Sequence, residues 1–211
     1  MKLLFIDCET SGLPENRHVS YIQTNMWPNI LQISWQCVDS ETWSIYKTED
    51  HFVESRGKWN KDAERIHRIP ESLIQKFGKS PLEVFSKLEN DISMCDIIVA
   101  HNLNFDKNCI LAEFKRLYNS NLIKNNPIQV WPINKKSLCT MVLTKRFAGS
   151  KFPNSNDYKF PKLSELYAKL FGKEYDISGA ELHNSSNDVS CLIMCFKQLL
   201  TIPDFAHVLS T

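Results

Sequence analysis

Lys2 to Ile6 is a short apolar run that ends on Asp7, and Thr10, Ser11, Gly12, Leu13 and Pro14 follow it as breakers. This is the pattern of a buried strand stopped by a turn. The polar stretch Glu15 to Pro28 has no clear period and reads as a long loop. Ile30 to Val38 then alternates apolar and polar residues, as a half-buried strand does. Asp39, Ser40 and Glu41 supply a turn before the β-rich run Trp43 to Val53, so the second and third strands are expected to form a hairpin.

Beyond residue 70 the period changes. Pro70 precedes a segment from Glu71 to Phe77 that Gly78 stops, and Ser80, Pro81, Leu82 and Glu83 open another. Leu82, Phe85, Leu88 and Ile92 in that segment recur at helical spacing. Ser80 fits an N-cap and Pro81 the first helical position. Asp96 to Ala100 is short, apolar and β-branched, which predicts a fully buried strand. Phe105, Cys109, Ile110, Phe114 and Leu117 then mark one face of a long helix. Ser137 to Cys139 reads as a short fifth strand, Gly149 to Pro161 as a loop, and Leu163 to Phe171 and Asn187 to Leu200 as helices. No internal repeat or linker interrupts the 211 residues, so residues 1–211 are read as one domain of α/β class.

A hydrophobic share of 43% with 23% charged residues fits a folded chain and argues against disorder. Lys plus Arg number 25 against 24 Asp plus Glu, so no global positive field draws in a polyanion, and nucleic acid would need a local site. Seven cysteines without a C-x-x-C pair point to reduced thiols inside a cell. The opening apolar run meets Asp7 and Glu9 too soon for a signal-peptide core, and no window suggests a membrane span. An intracellular, cytoplasmic protein that does not engage membranes is expected.

Candidate chemistry sits at the strand ends. Asp7 and Glu9, two apart where side chains alternate, project from one face, and two acids forced together call for a cation. The spacing alone carries little, because Asp39/Glu41 and Asp62/Glu64 repeat it in a polar turn and a charged, helical segment. Asp106 follows the buried strand at the edge where ligands bind in open α/β sheets, but taken alone it reads first as a helix-start acid serving the dipole. His183 and Asp188 can share a site only if a helix begins between them, and Asn184 and Ser185 are both good N-caps. His101 and Asp106 repeat the same spacing.

In order along the chain, F-I-D-C-E-T-S-G-L, I-I-V-A-H-N-L-N-F-D and H-N-S-S-N-D-V resemble the three motifs of the DEDDh exonucleases. This is the DnaQ-like family that includes the epsilon proofreading subunit of bacterial DNA polymerase III. W-P-N-I-L-Q-I-S-W is similar to the family's second strand, and K-F-P-K-L-S-E-L-Y-A-K-L-F-G to the segment before its third motif. The resemblance covers nearly the whole chain. It implies a ribonuclease H-like fold, a mixed five-stranded sheet flanked by helices, and release of nucleoside 5′-monophosphates from the 3′ ends of single-stranded DNA or RNA. Asp7, Glu9, Asp106 and Asp188 match the four acids, and His183 the histidine that names the subgroup.

The resemblance further implies two Mg²⁺ or Mn²⁺ ions, which four carboxylates suit better than they suit Zn²⁺. In that scheme Asp7 bridges the ions, Glu9 and Asp188 hold the one carrying the attacking water, Asp106 supports the second, and His183 is the general base. Thr10, Leu13 and Asn102 are the substrate-binding candidates, with turn-forming and loop-holding roles as their alternatives. The family likeness also brings a polymerase or replication partner and a homodimer as expectations. One departure is that Asn184, Ser185 and Ser186 stand where small apolar residues often follow the motif-three histidine. Tyr21, Met26 and Trp27 in the long loop either contact bases or cover the edge of the core. Lys115/Arg116, Lys135/Lys136 and Lys145/Arg146 either track a phosphate backbone or are solvated surface, and Cys191 and Cys195 are expected to face the core. The competing reading is a non-catalytic nucleic-acid or partner-binding module on the same fold.

Overall fold

A computed structural model describes residues 1–16, 18–57, 59–152, 155–174 and 184–210. Strands β1 (Lys2–Thr10), β2 (Ile30–Asp39), β3 (Ile45–Phe52), β4 (Ile97–Ala100) and β5 (Ser137–Cys139) form one sheet in the order β3-β2-β1-β4-β5. β1 pairs antiparallel with β2, and β2 with β3, whereas β1–β4 and β4–β5 are parallel. The helices are α1 (Lys61–His67), α2 (Glu71–Phe77), α3 (Pro81–Met94), α4 (Leu103–Asn119), α5 (Pro127–Val130), α6 (Thr140–Leu143), α7 (Lys145–Ala148), α8 (Leu163–Phe171) and α9 (Ser185–Leu199). This is the mixed five-stranded sheet with flanking helices that the motifs implied.

Local chemistry explains the boundaries. The Ser80 hydroxyl accepts the Glu83 amide at 3.2 Å and Pro81 occupies the first turn, which starts α3 where the sequence placed it. Gly172 ends α8 with φ of 67°, a left-handed cap that glycine adopts without a Cβ clash. Asn184 caps α9 by accepting the Ser186 amide at 3.0 Å, so that helix starts two residues before the predicted Asn187. α5, α6 and α7 were not read from the sequence; at four residues each they are too short to show a helical period.

Strand alternation divides β1 between two cores. Leu4, Ile6 and Cys8 face α3 and α4, packing with Phe85, Leu88 and Phe114. Leu3 and Phe5 face the other layer, with Leu166 of α8 and Leu192 and Phe196 of α9. Cys191 and Cys195 lie in that second core, as expected, and all seven cysteines are free thiols.

The structure corrects one expectation here and narrows one alternative. β2 is not half-buried: both faces are covered, with Gln32, Ser34 and Gln36 shut in as fully as Ile33, Trp35 and Cys37. Its polar face meets polar groups of α9 instead of water. Trp27 is 5% exposed and packs in the α3/α4 core with Tyr21 against its edge, so most of its ring covers the core. Arg116 of α4 holds that loop in place by donating to the carbonyls of Thr24 and Trp27, both at 2.6 Å, and to the Glu113 carboxylate at 2.6 Å.

Candidate active site

The last third of β1 carries Asp7 and Glu9 on the face opposite Cys8, the face that α9 covers. They stand directly across the β1–β2 ladder from Ser34 and Gln32, and a register shift between Glu9 and Thr10 ends the regular pairing beside them. α9 brings Asp188 in its first turn, four residues after the capping Asn184. Oxygens of Asp7, Glu9 and Asp188 lie within 4.8 Å of one another, the one potential metal-holding group of three or more such side chains among the described residues. Three of the four predicted acids therefore meet.

Asp106 arrives from the opposite layer, in the first turn of α4, and is 3% exposed. The Cys8 thiol donates to its Oδ1 at 3.1 Å. It is not within the close trio, but its charge reaches Asp7 and Glu9. His183 lies outside the described residues.

Burial and the repulsion of neighbouring carboxylates make Asp7, Glu9 and Asp106 reluctant to ionise. Burial pushes Asp7 well above the usual carboxylate range, and the charges of Asp106, Asp188 and Glu9 push the same way. Burial, then Asp188 and Asp106, raise Glu9 to about 8. Asp106 is raised to about 7, mainly by burial, against the lowering effect of its bonds from Cys8 and the backbone. No cationic side chain is among the causes acting on these three carboxylates. An all-oxygen donor set in this electrostatic state fits a hard divalent cation such as Mg²⁺ or Mn²⁺.

Thr10 and Leu13 line a cleft with Glu9, and Leu13 and Asn102 line another. Leu13, 73% exposed, borders two clefts. One, of ≈ 270 Å³, is walled by Asn102, Asn104, Phe105, Trp27 and Phe160. The other, of ≈ 300 Å³, runs from Glu9 and Thr10 to Asn60, Ile66 and His67 of the α1 region. Thr10 also donates its hydroxyl to the Gly12 carbonyl at 2.7 Å, so it shapes the turn as well as lining a cleft. Asn102 caps α4 in the left-handed region with φ of 75° and makes no side-chain cap bond. That leaves its role in holding the loop to the backbone.

The second histidine at motif spacing has a different job. His101 bonds Thr140 Oγ1 through Nδ1 and the Pro161 carbonyl through Nε2, each at 2.9 Å, and burial lowers its pKa. It ties the end of β4 to α6 and to the segment before α8. Of the predicted lysine pairs, Lys135 donates to the Cys95 carbonyl and Lys136 to the Leu209 carbonyl at 3.2 Å, which gives both a structural role. Sequence reading missed Gln32, Ser34 and Asp50. The available signal was a pair of polar residues at alternate positions in a strand that pairs with D-x-E.

Solved structures of Escherichia coli exonuclease I share this fold. Its complex with a dA16 oligonucleotide matches with a TM-score of 0.72 at 17% identity, over 99% of this chain and 43% of that one. The zinc-ion-bound form of its complex with single-stranded DNA gives 0.73 at 18% identity with the same coverage of both chains. The chain thus spans less than half the length of the exonuclease I structures it matches, and at this identity the likeness establishes the ribonuclease H-like fold. The sequence matches no protein-family model and no curated protein. No helix among the described residues is long and apolar enough to cross a membrane.

Proposed function

We propose that residues 1–211 form one exonuclease domain of DEDDh type. It shortens single-stranded nucleic acid from the 3′ end and releases nucleoside 5′-monophosphates, with DNA favoured over RNA. The observation that carries this reading is the meeting of Asp7, Glu9 and Asp188 within 4.8 Å on the α9 face of the sheet. The order of the three sequence motifs supports it, as does a fold shared with an exonuclease whose structures hold single-stranded DNA.

Asp7 would be shared by two divalent ions, Glu9 and Asp188 would hold one of them, and Asp106 would support the other. When bound, such ions make water nucleophilic near neutral pH and stabilise charge on the departing 3′ oxygen. His183, one residue before the cap of α9, takes the proton of the attacking water as a neutral imidazole. The water oxygen bonds to phosphorus as the bond from phosphorus to the 3′ oxygen of the shortened strand breaks. Leu13 and Asn102, on the walls of one cleft, orient the terminal nucleotide beside these groups.

The test is a time course with 5′-labelled single-stranded DNA and RNA of one sequence, in Mg²⁺, Mn²⁺ or EDTA, beside Asp7→Ala. A ladder shrinking from the 3′ end only with metal and only in the unmutated protein is expected. No turnover by folded protein that binds the metal would instead favour a non-catalytic binding module.

A further inference from the structure

Asn184 and Ser185, two of the polar residues that replace small apolar ones after His183, have side-chain partners on β2. Ser34 Oγ donates to Asp50 Oδ1 at 2.7 Å and lies 2.6 Å from Ser185 Oγ. The single Ser34 proton is committed to the carboxylate, so the Ser185 hydroxyl must donate into Ser34. Gln32 Nε2 donates to the same Asp50 oxygen at 2.9 Å and to Asn184 Oδ1 at 3.3 Å. Ser185 is 0% exposed and Ser34 2%, so neither hydroxyl can turn to water for an alternative partner. Asp7, Ser34 and Asp50 lie in one row across β1, β2 and β3. The row thus runs from a proposed metal-holding carboxylate to the anchor of the helix that brings another.

We infer that Ser34, backed by Asp50, is a positioning residue that docks the first turn of α9 through Ser185 and thereby sets Asp188 against Asp7 and Glu9. Asp188 is three residues after Ser185, one turn along nearly the same helical face, so rotation of α9 about its axis moves both together. Contact between small apolar residues would permit that rotation, whereas a 2.6 Å hydroxyl pair with a fixed donor direction resists it. Asp50 fixes that direction because its Oδ1 accepts from both Ser34 and Gln32. This inference rests on the reading of Asp7, Glu9 and Asp188 as metal-holding.

The experiment measures Mn²⁺ binding to the full chain, with no nucleic acid present, together with thermal melting in EDTA. Ser34→Ala and Ser185→Ala are each expected to weaken Mn²⁺ about tenfold, the usual scale for groups that orient metal ligands. The double variant should be no weaker than either single one, since all three cut the same link. Ser34→Thr, which keeps the hydroxyl, should stay within about twofold of the unmutated protein, while the core-sparing Asp50→Ala should weaken binding several-fold. A merely structural hydroxyl pair would lower the melting temperature and leave Mn²⁺ affinity unmoved. Affinities within about twofold of the unmutated protein in both Ser34→Ala and Asp50→Ala would overturn the inference. Failure of the unmutated protein to bind Mn²⁺, or unchanged binding by Asp188→Asn, would overturn the metal reading beneath it.

Discussion

Asp106 and Asp188 occupy the same position in two helices on opposite faces of the sheet: each is the fourth residue of its helix, four after a capping asparagine. A carboxylate in a first turn ordinarily gains from the positive end of the helix. At Asp106 burial outweighs that gain and the bond from Cys8, leaving the group raised to about 7. Delivering acids from both layers onto the end of β1 therefore accumulates negative charge that raises Asp7, Glu9 and Asp106 together.

Stability should consequently fall with rising pH when no metal is present. Glu9 and Asp106 have pKa values above those of the unfolded chain, so the folded state retains protons that the unfolded state releases. Their contribution is fully present below about pH 4 and is lost as pH rises through about 7 to 8. In EDTA, Glu9→Gln should melt above the unmutated protein at pH 8 by a few degrees, at about 2–4 °C per kcal/mol for a chain of this size. The two should converge near pH 4. Added Mn²⁺ should raise the melting temperature of the unmutated protein more at pH 8 than at pH 5.5, and differential scanning fluorimetry would show equal shifts at the two pH values if the acids were ionised without cost.

Asp188→Asn keeps the side-chain shape and removes its charge. Turnover should drop by about 10³-fold or more, equivalent to roughly 4 kcal/mol of barrier. Affinity for a single-stranded oligonucleotide should stay near that of the unmutated protein, because Leu13 and Asn102 are untouched. Equal losses of binding and turnover would show that Asp188 acts through the fold and not through the chemistry.

Much of this arrangement was legible in the sequence. A strand running into D-x-E, a buried strand followed by an acid, and an asparagine cap before another acid are local patterns, and the structure brings Asp7, Glu9 and Asp188 together. The polar face of β2 was misread because alternation cannot distinguish water from a polar protein surface. Gln32 and Ser34 look solvent-facing until α9, more than 150 positions later, is folded over them. Asp50 was missed for the same reason. Trp27 was ambiguous because an aromatic residue in a polar loop has no periodicity to assign it inward; only the clamp from Arg116 shows where its loop is held.

That clamp predicts a large stability effect from a loop contact. The Arg116 side chain is 17% exposed and pairs with Glu113, which is 6% exposed and also accepts the Ile30 amide at 3.3 Å. Arg116→Ala leaves Glu113 buried without its cation and frees two loop carbonyls, which should cost about 3–5 kcal/mol. Urea denaturation would measure the loss. Trp27 and Pro14 line the cleft beside Leu13, so oligonucleotide affinity of the folded variant should fall as well. A change below about 1 kcal/mol would place the pair among ordinary surface ion pairs.

The two histidines at H-N-x-x-x-D spacing should separate cleanly. In neutral His101, Nε2 must carry the proton it gives to the Pro161 carbonyl, and Nδ1 accepts from Thr140. Its lowered pKa keeps it in that form at neutral pH. His101→Ala breaks both links and should cost roughly 1–3 kcal/mol of stability while the folded fraction retains most of its turnover. His183→Ala should do the opposite, lowering turnover by about 10²–10⁴-fold, the range for a general base, with little change in melting temperature. Turnover by His183→Ala should also lose the limb of its pH profile that reports an imidazole. If His101→Ala rather than His183→Ala removed that limb, the proton acceptor would belong to the second motif, and the roles assigned to the two helix starts would have to be exchanged.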